Sequence, residues 1–143
     1  MTIKVFQKVQ FNRLEKLYLC WNRISVTTSL EHANFLELKE LDLSYNDFPD
    51  IYILKFVNFK QLKILYLFNA SISDLKILEV ANFNKLEILT ISSNYISDIK
   101  IKENVYFKEL KQLYLHKNPI SDLKPLKNVK FNKLELLNLG VLC

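Results

Sequence analysis

Residues 110–134 read LKQLYLHKNPISDLKPLKNVKFNKL, and this stretch sets the pattern for the whole 143-residue chain. Leu110 opens it, and Leu113 and Leu115 follow, separated by one residue. Residues two apart share one face of a strand, so this pair points inward together. Asn118 comes next, then Ile120, the Ser121-Asp122 pair, and apolar positions at Leu123, Leu126, Val129 and Phe131. Leu134 then starts the same order again.

A shift of 24 residues in either direction recovers nearly all of this. The opening leucine recurs at Leu14, Leu38, Leu62, Leu86, Leu110 and Leu134. The strand pair recurs as Leu17/Leu19, Leu41/Leu43, Leu65/Leu67, Leu89/Ile91, Leu113/Leu115 and Leu137/Leu139. A phenylalanine keeps the same spacing at Phe11, Phe35, Phe59, Phe83, Phe107 and Phe131. Self-similarity at a fixed period of this length marks a repeat protein.

These residues resemble the leucine-rich repeat family, in its short 22–24-residue class with the pattern LxxLxLxxNxISDLxxL. That class includes the phosphatase-1 regulatory protein and the internalins. The resemblance covers the whole chain. It implies an α/β fold: a curved solenoid with a parallel sheet of about six strands on its concave side and short 3₁₀ or α segments on its convex side. It names no partner, because the fold serves many functions.

The chain divides into a partial N-terminal repeat at 1–13, five full repeats over 14–133, and a partial, uncapped repeat at 134–143, all in one domain. Val9 and Phe11 match Val57/Phe59 and Val129/Phe131, so the first piece can cover the first turn. Ser25-Val26-Thr27-Thr28 is rich in β-branched residues, which makes that connection the least helical of the set. Asp74, Asp98 and Asp122 sit where a side chain caps a short helical turn. Pro125 fits only the first turn of such a segment. Asn22, Asn46, Asn94 and Asn118 are expected to form a ladder of inward amides that satisfies backbone groups where the chain leaves each strand. Ala70 takes the ladder position in the third repeat, so backbone groups of that turn are expected to lack a partner, and Ala70→Asn to stabilise the chain.

Half of the residues are hydrophobic and 24% are charged, as in ordinary folded domains. No uncharged apolar run reaches the roughly 18 residues of a membrane span, and Lys4 and Lys8 interrupt any leader-like apolar core. Cys20 and Cys143 stand five repeats apart. At about 4.8 Å per strand that is on the order of 25 Å, too far for a disulfide, which needs Cα atoms within about 7 Å. Both observations point to a reducing, cytoplasmic setting. The net charge of +5 comes mainly from lysine, with Arg13 and Arg23 the only arginines. Scattered lysine, with a modest ridge at Lys76, Lys100 and Lys124, does not make a nucleic-acid surface.

The residues that do chemistry are sparse. His32 and His116 fall in different columns and lack metal-ligand partners. Gly140 is the only glycine, which leaves no phosphate-binding loop. No nucleophile, base and orienting group come together, so no enzyme, cofactor or metal is expected. Asn69-Ala70-Ser71 is a glycosylation sequon, relevant only to a secreted chain.

The outward strand residues say more. One column reads Lys16, Glu40, Ile64, Ile88, Gln112, Leu136; the next reads Tyr18, Asp42, Tyr66, Thr90, Tyr114, Asn138. The third reads Cys20, Ser44, Phe68, Ser92, His116, Gly140, with Trp21, Tyr45 and Asn69 just beyond. Nothing in the repeat requires Ile64 or Phe68 to be large, and Tyr and Trp dominate binding hot spots. The expected partner site is therefore Tyr18, Trp21, Tyr45, Ile64, Tyr66, Phe68, Ile88 and Tyr114, facing a protein or peptide. The alternative is a structural or self-assembling solenoid, or a fragment of a longer repeat array, that associates through its uncapped ends, the last strand above all. There Leu137 and Leu139, followed by Val141 and Leu142, lack the charge or proline that blunts an edge. Two copies related by a two-fold axis can pair there as a homodimer.

Overall fold

The computed structural model describes residues 10–25, 30, 33, 35–48, 51–57, 59–81, 83–99, 101 and 106–140. Six strands form one sheet: β1 (Lys16–Tyr18), β2 (Glu40–Asp42), β3 (Ile64–Tyr66), β4 (Ile88–Thr90), β6 (Gln112–Tyr114) and β8 (Leu136–Asn138), in that order and all parallel. Each residue pairs with the one 24 positions on, as Lys16 does with Glu40 and Leu65 with Leu89. The repeat in the sequence is thus the register of the sheet. A two-stranded parallel sheet, β5 (Tyr106–Phe107) with β7 (Lys130–Phe131), keeps the same offset.

The strands span three residues each, and the middle one faces the core. Leu41, Leu65, Leu89 and Leu113 are at most 4% exposed. Removing a leucine from water contributes on the order of 1.5–3 kcal/mol, so this column and its partners Leu43, Leu67, Ile91 and Leu115 supply much of the driving force. The recurrent phenylalanines stack in pairs, Phe11 on Phe35, Phe59 on Phe83 and Phe107 on Phe131, with ring centroids 5.6–6.2 Å apart. Short segments lie between the sheet strands, as expected: 3₁₀ turns at Ile51–Phe56 and Lys124–Asn128, and α1 (Ile77–Val80). Pro125 falls in the first turn of its segment, where its missing N–H costs nothing. Two of the aspartates accept a backbone N–H, though Asp122 does so from just outside the cap position. Asp74 accepts the Lys76 N–H and Asp122 the Lys124 N–H, each at 2.9 Å, closing a side-chain turn ahead of the segment; the cap position itself falls to Leu123.

The asparagine ladder is present and specific. Asn46 Oδ1 accepts the N–H groups of Asn22 (3.2 Å) and Ile24 (2.8 Å), while its Nδ2 donates to Leu19 O (2.9 Å) and Leu43 O (3.0 Å). Asn94 serves Ala70, Ile72, Leu67 and Ile91 in the same way. Asn46, Asn94 and Asn118 therefore each serve the repeat before their own, and the expectation for Ala70 needs correcting. The third turn has its partners, since the Ala70 and Ile72 N–H groups go to Asn94. The missing amide bears on the second turn instead, where the Phe48 N–H turns to the Ala70 carbonyl at 3.0 Å. Phe48 stands where the other repeats carry Ile24, Ile72, Ile96 and Ile120, and it is buried. Phe for Ile adds volume beside the position where Ala for Asn removes it.

Leaving each strand requires a left-handed residue. Trp21, Tyr45, Asn69, Ser93 and Lys117, one per repeat, have φ between 47° and 59°, and none is glycine. Arg23 and Ser71 are also left-handed, in the first and third repeats. These are the repeats in which two N–H groups flanking that residue converge on one amide oxygen, a geometry that alternation of left- and right-handed residues produces. Asp47 and Tyr95, the equivalents in repeats two and four, instead donate their own N–H to Ile24 and Ile72. Pro119 in the fifth has φ fixed on the negative side. The array therefore alternates between two turn forms over its first four repeats.

Val9, Val26 to Thr28, His32, Pro49, Lys100, Val141, Leu142 and Cys143 lie outside the described residues. Among the described residues, no helix is long and apolar enough to cross a membrane.

Candidate functional site

The face of the sheet turned away from the core carries side chains that the leucine column does not determine. On β3 and β4, Ile64, Tyr66 and Ile88 are half-buried, and Phe68 follows just after β3 in the same state. Tyr114 on β6 is half-buried as well, with its hydroxyl donating to Gln112 Oε1 at 3.0 Å. Tyr18 is 54% exposed and Trp21 71% exposed. All eight expected residues thus reach the surface, in two groups: an apolar centre on β3 and β4, and an aromatic row along the ends of the strands.

That row is built by the turns. Trp21 lies flat on Tyr45, with centroids 3.8 Å apart and planes within 13°. Tyr45 meets Phe68 at 5.2 Å, Phe68 meets His116 at 6.4 Å, and His116 meets the edge of Tyr114 at 6.4 Å. Aromatic pairs at these separations add roughly 0.5–1.5 kcal/mol each beyond their burial. His116 was not among the expected residues. Its signal was its place in the Phe68 column, and it completes the row across β6.

The third column is not uniformly outward. Ser44 and Ser92 are buried, since the strand has ended there and the chain is already turning. Their small size seats the large neighbours. Ser44 Oγ accepts the Phe68 N–H at 3.1 Å, and Ser92 Oγ lies 2.9 Å from His116 Nδ1. From Ser44 onward the column alternates small and large, Ser44, Phe68, Ser92, His116, Gly140.

Charge flanks the apolar centre: Glu40 and Asp42 on β2 lie in register beside Ile64 and Tyr66. Lys16 Nζ lies 2.9 Å from Glu40 Oε2, and the Tyr18 hydroxyl donates to Glu40 Oε1 at 2.9 Å. The hydrogen bond from Lys16 holds the Glu40 carboxyl below its ordinary range, against the opposing effect of burial. Burial pushes the Tyr66 phenol up, with the negative charges of Glu40 and Asp42 adding to it. At the other end of the strands, Glu87 bridges Lys111 (2.7 Å) and Lys63 (3.0 Å), and hydrogen bonds from both lower its pKa. Glu15–Lys39 and Glu109–Lys133 make similar rungs between adjacent repeats.

Leu136 and Leu137 on β8 are 37% and 40% exposed, whereas Leu139 packs partly against the core. Among the described residues, no group of three His, Cys, Asp or Glu side chains is placed to hold a metal ion. Cys20 is a free thiol. No protein-family model matches the chain, and no curated protein matches it.

Proposed function

We propose that the chain is a leucine-rich repeat solenoid whose concave sheet face binds a protein or peptide partner, without catalysis or cofactor. One observation carries this reading. Ile64, Tyr66, Phe68 and Ile88 lie side by side on adjacent strands, half-open to solvent, and join an aromatic row that the core does not need. Contiguous exposed apolar surface on a monomer marks contact sites, and rigid aromatic side chains supply most of the energy at such sites. Glu40 and Glu87 are already paired with lysines and Asp42 accepts the Ser44 N–H, so the centre suits an apolar or aromatic segment of the partner.

The test is the double substitution Tyr66→Ser with Phe68→Ser. Circular dichroism and thermal melting should show a folded chain, while capture of partner from the source cell falls at least tenfold relative to wild type. Undiminished capture by the folded variant would overturn the reading.

A second reading takes Leu136 and Leu137, both exposed on β8, as apolar surface that a second copy can cover. Under that reading Leu137→Lys lowers the mass measured by light scattering at micromolar concentration, and the concave substitutions leave it unchanged.

A further inference from the structure

A second concavity lies at the rim where the strands end, beside the sheet face and separate from its apolar centre. It encloses about 630 Å³, within the range of small-molecule sites, and runs across the turns of three consecutive repeats. Its lining combines two flat rings, Trp21 and Tyr45, with Arg23, Ser25, Asp47, Asn69 and Ser71. The Asn46 amide at its floor is fully engaged in the ladder.

Three features of the groove define its ligand. The first is an open aromatic face: Tyr45 covers one side of the Trp21 ring at 3.8 Å, yet Trp21 stays 71% exposed, so the other side faces solvent. An electron-rich face accepts something flat with partly positive C–H groups. The second is the polar set. One guanidinium, one carboxylate, the Asn69 amide and the hydroxyls of Ser25 and Ser71 balance in charge and offer both donors and acceptors. A phosphate or other anion would meet Asp47, and a cation would meet Arg23. A purely apolar ligand would leave both charged groups without water or partner. A ring bearing several hydroxyls, each both donor and acceptor, matches the planar forks of Arg23 and Asp47.

The third is rigidity. Trp21, Arg23, Tyr45, Asn69 and Ser71 all sit in the narrow left-handed well. Their backbones are fastened by bonds such as Tyr45 N–H to Phe68 O at 2.8 Å and Asn69 N–H to Ser92 O at 3.1 Å. The left-handed turn itself belongs to every repeat and says nothing of ligand. What it does is hold these side chains in place before binding, which lowers the ordering cost.

We infer that this rim groove binds a neutral oligosaccharide, with one pyranose ring stacked on the open face of Trp21 and its hydroxyls held by Arg23, Asp47 and Asn69. The groove shares Trp21 and Tyr45 with the face proposed for a protein partner, but Arg23 and Asp47 belong to the groove alone.

Trp21 is the only tryptophan in the chain, so its emission reports on this groove alone. The full chain is titrated with maltotriose, cellotriose and chitotriose. At least one should give a saturable blue shift of the emission. By calorimetry, Asp47→Ala and Arg23→Gln should each weaken that binding about tenfold or more, as loss of hydrogen bonds to charged groups does. The Ile64→Ser, Ile88→Ser double variant, which touches only the apolar centre on β3 and β4, should bind the sugar within about twofold of wild type, which separates this site from the partner face. The inference fails if none of the three sugars gives a saturable shift, or if both rim variants, shown folded by circular dichroism, bind as well as wild type. It also fails if adenosine or a proline-rich peptide saturates the signal and the sugars do not.

Discussion

Leu65 and Tyr66 are neighbours on β3, paired in one register with the same flanking strands, and they face opposite ways. Beneath the sheet the column reads Leu41, Leu65, Leu89, Leu113, each nearly inaccessible to solvent. On the open face the column through Tyr66 reads Asp42, Tyr66, Thr90, Tyr114. The backbone is alike on both faces, so backbone geometry cannot explain the contrast. A closed core admits one side-chain volume per rung, and repetition follows from packing. The open face has no such condition, and its departures from repetition are where binding is to be sought.

The sharpest way to expose that contrast is to truncate both neighbours. Leu65→Ala should cost about 2–5 kcal/mol, from lost burial and the cavity left behind. Tyr66→Ala should cost about 1 kcal/mol, near the centre of the distribution for point substitutions. Urea midpoints for the two variants check the pair, and equal losses would show that the open face is also packed.

A smaller effect is expected at the one rung where the core itself departs from repetition. Ala70→Asn alone should fail to stabilise, because the amide would enter a closed site beside Phe48, and overpacking costs about 1–3 kcal/mol. Combined with Phe48→Ile, it should recover, giving a favourable coupling of about 1–2 kcal/mol in a double-mutant cycle. Additive losses would mean that the two departures are unrelated.

The smallest effect lies at the charged margin. The folded-state pKa of Glu87 is depressed by hydrogen bonds from Lys111 and Lys63, so its contribution is fully present above the ordinary value of 4.5 and is lost as pH falls through the depressed one. Glu87→Gln should therefore soften the loss of stability on acidification below that value, and leave the melting temperature at pH 7 slightly lowered. Parallel acid limbs for wild type and variant would show that the rung contributes nothing.

The sheet, its register and its leucine column were legible in the sequence because each follows from one spacing repeated without error. The asparagine ladder was legible for a related reason: an amide at a strand exit has one economical use. The direction of service was not legible. Nothing in the letters says that Asn94 satisfies the third turn and Ala70 deprives the second. The rim was hidden more deeply. Left-handed turns are ordinarily announced by glycine, and here the positions are Trp21, Tyr45, Asn69, Ser93 and Lys117. Strand alternation carried past the strand ends also misplaced Ser44 and Ser92, which the turn draws inward. Arg23 and Asp47 are unremarkable in sequence and meet only because successive turns stack them.

The gap at Ala70 has a consequence for how the molecule comes apart. Repeats are joined by strand pairing and, between most neighbours, by an amide that reaches back to the preceding turn. Between the second and third repeats no such amide reaches back, and the Phe48 N–H bond to the Ala70 carbonyl stands in its place beside the strand pairing, the Ser44–Phe68 bond and the stacked rings. Local opening free energies in a linear array follow its weakest junction. Amide protons of β1 and β2 should then exchange with solvent as one group, and those of β3, β4, β6 and β8 as another, with the boundary falling between Asn46 and Ile64.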